Sequence, residues 1–281
     1  MAISKSSALI NQYREFLIAI DSYEDKKITG RIYHASRSVS IPFDGLIEMA
    51  RSMETIFDEI HYPMPSMDQR NFSKVKNPPK MELRTVEAEQ DEAKKGRLMT
   101  ARLSIRHRYN ASWQGNAAFL ESGEEYGFIS FLELVKLLNK QLKGESESGE
   151  WENGEPVCRI AVDEYDNHCL EGNIHQIVSG KKHYFCSTIQ LMDYMERILN
   201  SPHNISNVIN NQALSVYREK GKKATFVIRI LFQQNGTWQG RICWKDTSQI
   251  MNFRSFLELI KLIDTALQSV ETWHEAEQKV L

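Results

Sequence analysis

The chain has 281 residues, of which 41% are hydrophobic and 26% charged, and its formal net charge is −2. That balance excludes an intrinsically disordered chain and gives no general pull toward nucleic acid or anionic membrane. No apolar run approaches the ~18 residues of a membrane span, the N-terminus lacks the basic start and apolar stretch of a signal peptide, and no cysteine stands in a C-x-x-C pair, so the expectation is a cytoplasmic protein with free thiols.

In chain order, residues 16–60 come first. I-A-I-D-S-Y-E-D-K-K-I-T-G-R-I (18–32) reads as two strands about a turn, a short strand runs into Phe43, and L-I-E-M-A-R-S-M-E-T-I-F has helical period. Residues 61–98 follow as a long insertion, part loop and part helix, with P-M-P, N-P-P-K and a charged run. Residues 99–143 repeat the first pattern: the strand L-S-I-R-H-R-Y, then N-A-S-W-Q-G-N-A-A-F turning into a second strand, then the helix F-L-E-L-V-K-L-L-N-K-Q-L. Residues 144–156, G-E-S-E-S-G-E-W-E-N-G-E-P, are polar, acidic and rich in Gly and Ser, the composition of an exposed linker. The pattern returns in residues 157–200 and again in 223–268, and the tail after 268 extends the last helix.

The repetition is a duplication. Residues 110–142 lie on 235–267 without a gap, with identities at Asn110, Trp113, Gln114, Gly115, Phe128, Ser130, Phe131, Leu132, Glu133, Leu134, Lys136, Leu137 and Leu142. Residues 18–32 lie likewise on I-A-V-D-E-Y-D-N-H-C-L-E-G-N-I, residues 160–174. All four units share a glycine (Gly30, Gly115, Gly172, Gly240), a later phenylalanine (Phe43, Phe128, Phe185, Phe253), and a helix start at Gly45, Ser130, Ser187 or Ser255. Glu48, Glu133, Gln190 and Glu258 follow three residues on, which makes a capping box in three units. The expected fold is α+β: four strand–strand–short strand–helix units in two pseudo-equivalent halves, residues 1–143 and 157–281, with helices on one face of antiparallel sheets.

Trp113 and Trp238 fall where the other units place Ile28 and Leu170, which marks a core position rather than a ligand-stacking one. The strand W-Q-G followed by F-R-S-F-L-E-L-I-K-L-I resembles repeat segments in uncharacterised proteins of anaerobic Gram-positive bacteria. The resemblance covers the second and fourth units well and the others less well, and it implies a bacterial protein without implying an activity.

No phosphate loop, nucleophile elbow or H-E-x-x-H motif is present, so no catalytic residue, cofactor or metal is expected. Asp21 and Asp163, equivalent acids at the end of each first strand, read as hairpin-turn residues. His168, Cys169, His175, His183 and Cys186 lack the tight spacing of a structural zinc site. The suggestive surface is the sheet face opposite the helices. Strict alternation points Ala101, Leu103, Ile105 and His107 inward, with Phe226, Ile228, Ile230 and Phe232, and points Arg102, Arg106 and Arg108 outward, with Arg229. Gln114, Gln239, Arg241, Arg31 and Tyr33 join the outer set. A face of arginine, glutamine and aromatic side chains suits a protein partner or self-association, or alternatively a nucleotide or single-stranded nucleic acid. It also suits packing of the two halves against each other, face to face. The first expectation is a non-catalytic binding or adaptor protein.

Overall fold

The computed structural model describes residues 12–66, 94–143, 157–177, 181–200 and 219–278. The linker 144–156, the middle of the insertion and the junction after residue 200 lie outside the described residues. The first half comprises β1 (Glu15–Glu24), β2 (Lys27–His34), β3 (Ile41–Asp44), α1 (Leu46–Glu59), the two-residue β4 (Pro65–Ser66), β5 (Met99–Tyr109), β6 (Gln114–Phe119), β7 (Glu125–Phe128) and α2 (Phe131–Lys143). The second half comprises β8 (Val157–Asp166), β9 (Cys169–Gln176), β10 (Lys182–Phe185), α3 (Thr188–Asn200), β11 (Ala224–Phe232), β12 (Gln239–Trp244), β13 (Gln249–Phe253) and α4 (Phe256–Gln278). The C-terminal tail does extend the last helix.

Each half folds its two units into one sheet. The strand orders are β3-β2-β1-β5-β6-β7 and β10-β9-β8-β11-β12-β13, antiparallel throughout except for β4, which adds in parallel to the end of β5. The long first strands pair at the centre of each sheet, and the short third strands form the edges. Two units therefore meet about a local two-fold, and the halves repeat the arrangement. The fold is α+β with four repeat units in two similar halves.

The helices of both halves form the layer between the sheets. α1 meets α3 and α4, and α2 meets α4, while each helix also covers its own sheet. One continuous apolar cluster runs from Phe16, Ile18 and Trp113 through Phe57 and Phe131 to Trp238, Phe256 and Ile228. The halves thus join by their helical sides. They do not pack outer sheet face on outer sheet face, because the apolar stripes of all four helices point into this shared core.

The shared glycine has a specific cause. Every first strand carries a β-bulge, at Asp21, Arg106, Asp163 and Leu231, where the register slips by one residue. The carbonyl oxygen displaced by the bulge (of Ala19, Ser104, Ala161 or Arg229) comes within 1.9–2.1 Å of where a Cβ on Gly30, Gly115, Gly172 or Gly240 would stand. Only glycine fits beneath it.

The bulge also breaks strict alternation. Past it the faces exchange, so His107 and Phe232 are exposed and Arg108 turns inward. Asp21 and Asp163 sit on bulges rather than in the hairpin turns, which are made by Asp25–Lys26 and Asn167–His168 with positive φ. Each bulge carboxylate holds the next unit in place. Asp21 accepts from the Arg97 amide at 3.1 Å and Asp163 from the Lys222 amide at 3.2 Å.

Candidate functional site

The N-x-[ST]-W-Q-G segments look like a ligand motif, and every residue of them is occupied by the fold. Asn110–Ala111 and Asn235–Gly236 make left-handed two-residue turns. The Ser112 and Thr237 hydroxyls accept the first helical amides, Phe131 N–H at 2.8 Å and Phe256 N–H at 2.9 Å. Trp113 and Trp238 are buried, each edge-on to the phenylalanine that opens its helix. Gln114 brackets the Tyr109 backbone with both amide atoms, at 2.9 and 3.0 Å, and Gln239 does the same for Gln234 at 3.0 and 2.8 Å. These glutamines complete the ladder that the bulge interrupts and are not poised for a ligand.

The cap serines act across the halves. Ser130 accepts from Glu133 N–H at 3.0 Å and donates to the Gly236 carbonyl at 2.6 Å; Ser255 accepts from Glu258 N–H at 3.0 Å and donates to the Ala111 carbonyl at 2.5 Å. Ser187 donates likewise to Asp25 O at 3.0 Å. Gly45 has no hydroxyl, and there Cys169 of the other half donates its thiol to Asp44 O at 2.8 Å. The capping boxes are real, and each is also a clasp between halves.

Sequence reasoning missed the polar seam beneath these clasps. Arg108, 7% exposed, holds Glu54 at 2.8 Å and Asp58 at 2.7 Å and lies over the Phe57 ring. Glu54 also accepts from the Trp113 indole at 2.6 Å and from Lys261 of the other half at 2.9 Å. Burial alone would raise the Glu54 carboxyl; Arg108 and Lys261 outweigh it and hold the group below the ordinary carboxylate range. The equivalent pair in the other direction is Glu196 with Lys136. Asp264, 1% exposed, accepts from Tyr165 at 2.7 Å, meets His168 at 2.8 Å and pairs with Arg51 across the seam at 2.6 Å. Its counterpart Asn139 bonds Tyr23 and approaches Asp193, which Lys26 and Lys143 surround. One signal for the seam was visible in the sequence: Asp264 stands inside an otherwise apolar helix face, L-I-K-L-I-D.

The five histidine and cysteine residues of the third unit disperse to separate partners. His168 goes to Asp264, Cys169 to Asp44, His175 to Glu219 and Cys186 to Asp25 and Gln190, while His183 stacks on Tyr194. Among the described residues no group of three or more His, Cys, Asp or Glu side chains is placed to hold a metal ion.

What remains is the outer sheet face. Arg102 and Arg106 on β5, and Arg229 on β11 with Arg241 on β12, are exposed there. None of the four makes an ion pair or side-chain hydrogen bond among the described residues. Arg31 belongs to a different class, because it pairs with Asp21 at 3.2 Å and lies 5.9 Å from the Tyr33 ring. Arg229 and Arg241 stand directly opposite each other in the β11–β12 register. Like charges facing across strands destabilise a sheet. Large apolar side chains, Leu231 and Phe232, are exposed beside them, with Val227 and Cys243 half-buried in the next row. No described helix is long and apolar enough to cross a membrane.

Comparison with known proteins finds no match: no family model, no curated protein and no solved structure is similar to this chain.

Proposed function

We propose that the protein is a non-catalytic binding scaffold that engages a protein partner through the outer face of its second sheet. The opposed pair Arg229 and Arg241, unmatched among the described residues and bordered by Leu231 and Phe232, carries this reading. The strands set the two arginines opposite each other, where their guanidinium groups can pair with carboxylates, and the neighbouring apolar side chains supply area to bury. A partner that presents an acidic group within an apolar patch relieves the like-charge repulsion on binding. Affinity capture with the wild-type chain and with Arg229→Glu, Arg241→Glu tests this. The partner is lost with the double reversal and retained with the same changes at Arg102 and Arg106. A partner that binds the double reversal equally well sinks the reading.

The other reading, a nucleotide or single-stranded nucleic acid, is supported by the presence of two unmatched arginines on each sheet rather than on one. Contacts through phosphate weaken steeply with salt, and all four arginines then contribute. Absorbance at 260 against 280 nm of the purified protein, followed by a titration of single-stranded RNA at low and moderate salt, separates the two.

A further inference from the structure

The four sheet edges are equivalent by repetition, and three of them are guarded against further pairing. β3 contains Pro42, β7 contains Glu125 and Gly127, and β10 begins with Lys182. Proline, charge and irregular backbone are the usual means by which a free edge resists another strand. β13 reads Gln249-Ile250-Met251-Asn252-Phe253, with no proline, glycine or charge. Its Ile250 and Met251 are 60% and 53% exposed.

The same side of the molecule has an open apolar groove of ≈ 390 Å³, lined by Phe226, Ile242, Trp244, Met251, Leu262 and Ala266. In the second unit this space is filled: Tyr126 packs edge-on to Phe119, and Lys140 extends over the Tyr126 ring. In the fourth unit the matching residues are Met251, Trp244 and the short Thr265, so among the described residues the groove stays open. Along α4, Leu262, Thr265, Ala266 and Ser269 form one flank of this groove. The Thr265 and Ser269 hydroxyls donate to Lys261 O and Ala266 O of their own helix, which leaves the wall apolar toward an incoming surface.

We propose that β13 is the docking edge for a second copy of this chain, paired antiparallel about a two-fold axis at Met251. A two-fold interface requires a surface complementary to itself. The uncharged β13 meets that condition, whereas edges with Lys182 or Glu125 would bring like charges together. Met251 lies on the helix side of the sheet, opposite Ile242. The same axis therefore brings the second copy's α4 alongside the first, and small Ala266 and Ser269 let the helices approach and close the groove. The chain's net charge of −2 opposes self-association little. The proposal is independent of the outer arginines, and its test leaves them untouched.

The full chain is examined by light scattering over a range of concentrations, alone and as Ile250→Lys, whose folding is checked by circular dichroism. The wild type gives a dimer mass, and the charged edge weakens dimerisation by at least ~10-fold. In parallel, Met251→Cys is oxidised beside Tyr184→Cys, an exposed position on the guarded edge β10, and beside the wild type as background for its own four cysteines. Directly opposed residues of an antiparallel pair lie ~4.5–5.5 Å apart at Cα, within disulfide reach. Met251→Cys alone gives the covalent dimer. A chain that stays monomeric at every concentration overturns the proposal. So does a dimer that survives Ile250→Lys while Met251→Cys forms no more disulfide than Tyr184→Cys.

Discussion

Glu54 and Glu196 each meet a lysine of the opposite half, Lys261 and Lys136, whereas Arg229 and Arg241 on the outer face stand opposite each other and have no ion pair among the described residues. The seam and the outer face are built from the same repeat, so their difference is informative. At the seam one duplicated pair is kept in both directions, and where the other has changed, from Arg51–Asp264 to Asp193 and Asn139, Lys26 and Lys143 supply the missing charge; an unpaired charge there would be desolvated with nothing to offset it. On the outer face solvent screens an unmatched charge, and charges need not follow the repeat. Ser104 stands where Arg229 stands, and Leu231 where Arg106 stands. At the seam a charge has a partner whether or not the repeat supplies it; on the outer face Arg102, Arg106, Arg229 and Arg241 have none among the described residues.

The comparison breaks most visibly at Glu54. Glu54→Ala leaves Arg108, Lys261 and the Trp113 indole without their shared acceptor, and ~3–5 kcal/mol of unfolding free energy should be lost, read from denaturant titration. A loss below ~1 kcal/mol would mean that the seam is solvated and that the contrast with the outer face fails.

The next effect depends on pH. His34 occupies the slot that the second half fills with Gln176. Burial, against the hydrogen bond its ring makes to Tyr13 O, lowers its pKa from 6.5 to about 4. The unfolded chain therefore takes up this proton first as pH falls, and stability drops progressively from about pH 6.5 to about 4. The full penalty is ~3 kcal/mol. His34→Gln should flatten the fall of melting temperature with acid over that window, and an unchanged slope would place the imidazole in water.

Ser255→Ala removes a cap acceptor and a donor across the halves together, about 2 kcal/mol in thermal unfolding. A loss of only half that would assign the hydroxyl to its own helix and dissolve the clasp. Smallest of all, Arg241→Ala should change stability by less than ~0.5 kcal/mol, or raise it, because the facing Arg229 is relieved of a like charge. A clear destabilisation would show that the outer arginines have structural partners after all.

Much of this frame was legible in the residues. The repeat, the helix starts at Ser130, Ser187 and Ser255 and the burial of Trp113 and Trp238 follow from local rules: capping chemistry, periodicity, and the exchange of Ile, Leu and Trp at one site. Arg108 was misplaced for a definite reason. A bulge inserts one residue into a strand without any change of composition, and alternation counted past it names the wrong face. The glycine opposite was the available sign, since Gly30, Gly115, Gly172 and Gly240 all mark the place where a displaced carbonyl needs room. Apart from Asp264 in its apolar helix face, the seam was illegible, because Glu54–Lys261 and Arg51–Asp264 join residues far apart in sequence, and the third partner of each arises only after the helices pack. Three of the candidate outer-face residues belong elsewhere, Gln114 and Gln239 to turns and Arg108 to the seam.

The clasps at Ser130 and Ser255 are reciprocal: each half closes the other's turn and has its own turn closed in return. Such symmetry is what two separate copies of a half would make on meeting, joined here by a covalent tether. The tether then acts through effective concentration, turning a bimolecular encounter into an intramolecular one. The consequence is modularity under scission. Halves expressed as two polypeptides contain between them the donors and acceptors of the seam described above, and their reassembly is governed by concentration.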